Sequence, residues 1–310
     1  MLSKFLSNFS TSTLRKAEQE QSNIFLIFLL LLIGLGLPAH ANQISQIKTI
    51  APQSSYDVSH HYFVTLLQNV LETTADKYGH SQVVYSSQME QGRALYELTK
   101  GSKLDVYWAG TSISRERTLI PIRIPLLKGL LGFRASIIRA EDEEKFRAIT
   151  SIEQLRELTA CQGAHWPDSD ILENAGMVVR RNPVYENMFQ ELAEGRCDFF
   201  PRGIHEGAGE VTARLAVYPN LTLFTDVVIY YPFPMYFFVS AKNPELAERL
   251  TTGLEKSIDD GTLEHHLQTH PVTSRLFPMD QWKDTQIFIL DNPLLPRDTP
   301  IQDHRYWVKP

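Results

Sequence analysis

The stretch Lys103 to Arg117, KLDVYWAGTSISRER, concentrates the residue types best suited to hold an anion. Leu104 to Trp108 reads as a short buried strand, apolar and partly β-branched or aromatic after Asp105. It runs into Ala109-Gly110, a small pair that lets a ligand approach the backbone closely. Thr111, Ser112 and Ser114 supply hydroxyls, and Arg117 adds a planar fork of donors matched to a carboxylate. A strand end, a glycine turn, hydroxyls and an arginine together form an anion-binding corner. No side chain here has the partner expected of a nucleophile and its base.

Further candidates carry two readings each. Arg202 follows a strand end and would meet a ligand or sit in a structural ion pair, and Glu206 lies one helical turn beyond it. Trp108 and Trp166 would stack on a ligand or pack in the core. His165 would donate to a ligand or cap a helix. The adjacent pairs His60-His61 and His265-His266 point to different helix faces, and His205-Glu206 lacks the second histidine of a zinc-protease helix, so no metal site is expected. The sequence has neither a phosphate-binding glycine loop ending in Lys-Ser/Thr nor a Gly-x-Ser-x-Gly elbow, and no cofactor is expected.

Asp105-Val106, Gly110, Ser112-Ile113-Ser114 and Arg117 resemble the signature of family 3 extracellular solute-binding proteins, in which an aspartate and a hydrophobic residue precede Gly-x-Thr-Ile-Thr-x-x-Arg. Asn243-Pro244-Glu245-Leu246 followed by Asp260-Gly261-Thr262-Leu263 is similar to that family's closing helices, so the resemblance runs from about Ile47 to His270. It implies an α/β fold of two lobes joined by a two-crossing hinge, closing like a flytrap. It also implies that Arg117 holds a ligand carboxylate, with Gly110 and Ser112 adding contacts. One departure bears on the ligand. Where amino-acid binders of this type carry an aspartate for the ligand ammonium, this chain has Gly203 beside Arg202. Either Glu206 or Asp168 replaces that carboxylate, or the ligand has no ammonium.

The elements that would position these residues alternate. Ile47 to Ala51, Val83 to Tyr85 and Leu104 to Trp108 read as strands, separated by helices at His61 to Tyr78 and Gln91 to Thr99. Such alternation implies a largely parallel sheet with its ligand edge at the carboxyl ends of its strands, where Gly110 to Arg117 falls. Gly132 to Arg139 reads as a strand crossing to a second lobe. That lobe holds a helix opened by Ser151 with Gln154 three residues on, a helix at Glu186 to Glu194 and a strand at Cys197 to Pro201. Leu223 to Ile229 and Pro234 to Ser240 lead back. The tail, Pro271 to Pro310, is richer in Pro, Asp and Trp than the family's usual short ending, and its Leu290 to Pro296 stretch matches no motif of the family.

Composition sets the remaining bounds. A chain of 310 residues, 43% hydrophobic and 21% charged, is large enough for two lobes. Ile24 to Leu37 is an uncharged apolar run short for a membrane span, followed by Pro38 and the small-x-small step Ala39-His40-Ala41. That pattern predicts a signal peptide over 1–41, cleavage before Asn42 and a periplasmic location. Without residues 1–41 the 30 basic and 36 acidic side chains lose three and two, leaving a net charge of −7 that disfavours nucleic acid as a partner. Export makes Cys161 and Cys197 a candidate disulfide, the alternative being two buried thiols.

The expected protein has a first lobe of 42–131 plus 236–310 and a second of 132–235. It is a monomer and not an enzyme, and it captures a small polar, carboxylate-bearing ligand, an amino acid or related metabolite, for an ABC-type importer. The alternatives are a sensory protein presenting its ligand to a membrane receptor and a dehydratase-like enzyme on the same fold.

Overall fold

The computed structural model describes residues 44–308; the expected signal peptide lies outside them. The chain opens with β1 (Ser45–Thr49), α1 (His60–Thr73), β2 (Ser81–Tyr85), α2 (Gln91–Lys100), β3 (Val106–Gly110), the one-turn α3 (Ile113–Glu116) and β4 (Leu119–Pro121). Then follow β5 (Phe133–Arg139), α4 (Ile152–Arg156), β6 (Thr159–Gly163), α5 (Pro167–Asn174), β7 (Val178–Asn182), α6 (Tyr185–Ala193), β8 (Phe199–Gly203) and α7 (Gly207–Arg214). β9 (Leu221–Tyr230), β10 (Met235–Ser240), α8 (Pro244–Asp259), α9 (Thr262–Thr269) and β11 (Gln286–Ile289) complete the chain. No helix among the described residues is long and apolar enough to cross a membrane.

Local sequence explains the main elements. α1 places Phe63, Leu66, Leu67, Val70 and Leu71 on one buried face, each such side chain contributing roughly 1.5–3 kcal/mol relative to exposure. It stops at Thr74, whose hydroxyl donates back to the Val70 carbonyl at 2.9 Å and accepts from Arg249 at 3.0 Å. The start of α4 is held by Gln154, whose side-chain oxygen accepts from the Ser151 N–H at 3.1 Å. α8 begins at Asn243, which accepts from the Leu246 N–H at 3.2 Å, and buries Leu246, Leu250 and Leu254.

The strands form a parallel pair β1-β2, a three-stranded sheet β3-β10-β4 and a six-stranded sheet β11-β9-β5-β8-β6-β7. The pairs β1-β2, β6-β7, β6-β8 and β9-β11 are parallel. β5 and β10, the strands that carry the chain between the lobes, run antiparallel to their neighbours. β3 abuts β1 through Asp105, whose carboxylate accepts from the Lys48 N–H at 2.8 Å, while its own N–H donates to the Lys48 carbonyl at 2.8 Å.

Two features concern the six-stranded sheet. Cys161 on β6 and Cys197, just before β8, are buried and joined by a disulfide, with Cα atoms 5.6 Å apart. β11 pairs with β9 in register Gln286↔Val227 to Ile289↔Tyr230. The expected assignment of the whole tail 236–310 to the first lobe is therefore corrected. Residues 286–289 belong to the six-stranded sheet, because β9 has a free edge there that an apolar Ile-Phe-Ile run can pair with.

Candidate functional site

A cavity with about 90 Å³ open to the centre of a water molecule lies between the lobes. β3 delivers Trp108 and Gly110 to it from the first lobe. A Cβ at residue 110 would run into the Phe233 ring, so glycine is required for close packing. Trp108 stacks on Phe63 at 5.1 Å and meets His60 edge-on at 5.3 Å, so its ring is packed as well as facing the site.

Beyond Gly110, the Ser112 hydroxyl caps α3 by accepting from the Arg115 N–H at 3.3 Å. The cap fixes which arginine turns inward. Residues two apart on a helix point to nearly opposite sides, and here Arg115 is buried while Arg117 faces solvent. The expectation that Arg117 lines the site is corrected, as is that for Ser112, which is spent on the cap. Arg115 donates to the carbonyls of Gly110 and of His165, the latter at 3.0 Å, and to the Gln91 side chain. All three acceptors are neutral. Among the described residues no carboxylate lies within 4 Å of its guanidinium. Burial lowers its pKa to about 10, against the opposing pull of Tyr107 and Asp168.

Asp57, in the loop after β1, also lines the cavity. It accepts from the N–H groups of Gln53 at 2.9 Å and His60 at 3.2 Å, and no side-chain cation among the described residues pairs with it. Burial raises its pKa from the ordinary aspartate value, more than those amide bonds and His60 lower it.

The second-lobe wall is built differently. Arg134 on β5 pairs with Asp168 and donates to the Tyr231 hydroxyl at 3.1 Å, with Glu206 3.7 Å away. Arg202 at the end of β8 grips Glu210 through two bonds of 2.8 and 2.7 Å, reaches Glu206 at 3.1 Å and lies 4.8 Å from the centre of the Trp166 ring. Tyr185 donates to Glu210, and the Glu206 carboxylate accepts from the Gly203 N–H at 2.9 Å. These charges are buried and mutually satisfied. Glu206 and Asp168, read from sequence as substitutes for the missing ammonium-binding aspartate, are both committed to arginines. Gly203 cannot carry a side chain, since a Cβ would meet the His205 ring at 2.6 Å and the Glu206 carboxylate at 2.9 Å.

Trp108, Gly110, Trp166, Arg202 and Glu206 thus border one cavity, whereas Arg117, Ser112 and the ring of His165 do not. His165 is exposed, its ring lies over Gly92 of the first lobe, and only its carbonyl serves the site. Sequence reasoning missed Arg115, Asp57, Arg134 and Glu210. Arg134 had a readable signal, a charge inside the wholly buried strand FRASIIR. Arg115 and Arg117 are distinguished only by where the helical turn begins.

No family model and no curated protein matches the chain. Solved structures do. An ancestral arginine-binding protein bound to arginine is 18% identical over 73% of this chain and 95% of its own, with a TM-score of 0.52. A histidine kinase sensor domain with similarity to periplasmic binding proteins is 17% identical over 73% and 94%, at 0.51. The ancestral amino acid-binding protein AncCDT-1, a precursor of cyclohexadienyl dehydratase, is 15% identical over 73% and 94%, at 0.51. With three sheets, β5 and β10 carrying the chain between lobes and a charged cavity at the junction, the described chain has the two-lobed α/β fold of the periplasmic binding proteins.

Proposed function

We propose that this chain is a periplasmic solute-binding protein that captures a small carboxylate-bearing ligand between its lobes and serves an ABC-type importer. The observation that carries the reading is Arg115, a buried guanidinium bordering a cavity with only neutral acceptors around it. An unpaired buried cation is costly, and a ligand carboxylate would relieve that cost with a charge-assisted bond. Asp57 supplies the opposite pole with no cation paired to it among the described residues, which favours a ligand that also bears an ammonium, an amino acid or close relative. Contact from both lobes favours the closed state, so binding would shift the lobes toward closure. The apolar run and the Ala-x-Ala step before Asn42 support export.

Binding is favoured over catalysis because Glu206 and Glu210, the obvious acids of the second lobe, are both engaged by the Arg202 guanidinium and not free to face a ligand. Native mass spectrometry of freshly purified protein, followed by calorimetric titration with whatever ligand co-purifies, tests the reading. A ligand carrying a carboxylate and recovered unchanged is expected. A ligand without an acidic group would overturn the role of Arg115, and conversion to a product would favour the enzyme.

A further inference from the structure

The tail leaves the first lobe and returns to it. α9 is anchored on α1, with His266 hydrogen-bonded to the Tyr62 carbonyl at 3.1 Å. Met279 and Trp282 then meet Phe133, Ile204 and Val228 over the second lobe, and β11 joins its sheet. The return is short. Leu290 donates to the Tyr230 carbonyl at 2.8 Å, and the Asn292 side chain donates to the Pro232 carbonyl at 2.8 Å. The Leu294 carbonyl accepts from the Ile113 N–H at 2.9 Å, satisfying an otherwise orphaned donor at the start of α3. Farther on, the Val308 N–H donates to the Lys128 carbonyl at 2.9 Å, and Trp307 covers Gly129.

These contacts bracket the hinge. Residues 231–234 are the crossing from β9 to β10, and residues 290–294 run beside them. The four steps from Leu290 to Leu294 span at most roughly 14 Å when fully extended. Bending the crossing therefore requires opening of the turn that Leu295 closes on the Asn292 carbonyl, or rupture of the segment's bonds to Tyr230, Pro232 or Ile113. We propose that residues 290–294 are a strap that stiffens the hinge. It limits how far the lobes part before a ligand arrives, leaving the final closure to the ligand, and holds α3, with Arg115, in register against the second lobe. A ligand then meets a largely preformed cavity, with less reorganisation than a freely opening hinge would require.

The test uses the full chain without ligand, so its outcome is independent of the proposed function. A Gly-Ser-Gly-Ser insertion between Asp291 and Asn292 lengthens the strap while leaving both anchors in place. Spin labels on the exposed positions Tyr96→Cys and Val178→Cys report the distance between the lobes. A narrow distribution is expected for the parent, and a broader one shifted to longer distances for the insertion. An insertion variant that melts like the parent and keeps its distribution would overturn the proposal. Should the insertion fail to fold, Asn292→Ala removes one bond only. It is expected to speed amide exchange around residues 231–235 about fivefold, as loss of a single hydrogen bond allows, and unchanged exchange there would equally overturn the strap.

Discussion

The two walls of the cavity hold buried charge in opposite ways. In the second lobe, Arg134 and Arg202 are matched by Asp168, Glu206 and Glu210, with Tyr231 and Tyr185 donating to the carboxylates. In the first, Arg115 and Asp57 line the same cavity without ionic partners among the described residues. A wall whose charges are mutually satisfied can be rigid and has little left for a ligand. A wall with two unmatched poles is less stable alone and has most to gain from a ligand that supplies both. The difference assigns framework to one side and recognition to the other.

That contrast predicts opposite outcomes for the same substitution. Arg202→Met strands Glu210 and Glu206 in the interior and should cost about 3–5 kcal/mol of stability, read from urea unfolding. A loss below about 1 kcal/mol would show that the network is not structural. The disulfide braces the same wall, closing a loop of sequence separation 36. Replacing both cysteines with serine should cost roughly 3–4 kcal/mol on the chain-entropy account, and thiol labelling of the denatured, unreduced parent should find no free thiol. Two labelled cysteines would remove the brace from the comparison.

Arg115→Met should leave stability unchanged or higher, because it removes an unpaired buried charge, yet weaken ligand binding by about 2–4 kcal/mol in calorimetry. Unchanged affinity in the folded variant would end the assignment. Arg117→Ala, by contrast, should leave affinity unchanged. Asp57→Asn is the smallest and the most specific. The folded Asp57 pKa is raised, so its ionised form opposes folding, and stability on its account falls as pH rises from the unfolded value near 3.8 through the folded one. Asparagine should flatten that part of the pH–stability curve and raise stability slightly at neutral pH. It should also weaken amino acids more than the matching simple carboxylates, and equal losses for both would place the ammonium elsewhere.

Much of this arrangement is legible in the residues. The strand and glycine turn at Val106 to Gly110, the crossing strand at Phe133 to Arg139 and the capped helix from Pro244 are specified by contiguous local pattern, and the fold follows from their order. The choice of Arg115 over Arg117 is not local. It depends on Ser112 becoming the cap and on the second lobe covering one side of a single turn. Asp57 had no motif, since its significance lies in lacking a partner, and an absent partner is visible only in three dimensions. Arg202 and Glu206 were legible as candidates, but their pairing with each other and with Glu210 required the turn into α7 to be known.

β11 also bears on the order in which the chain can fold. The six-stranded sheet is built from residues 133–230, yet its outer edge against β9 is supplied by residues 286–289. A growing chain can form β5 to β9 long before β11 has been made, and through that interval the β9 edge presents unpaired N–H and C=O groups. Closing it needs a contact between residues far apart in sequence, the kind that slows folding and leaves intermediates prone to association. The second lobe is thus unfinished until Gln286 to Ile289 have been made, and a chain cut short before Gln286 would be an aggregating fragment rather than a smaller working protein.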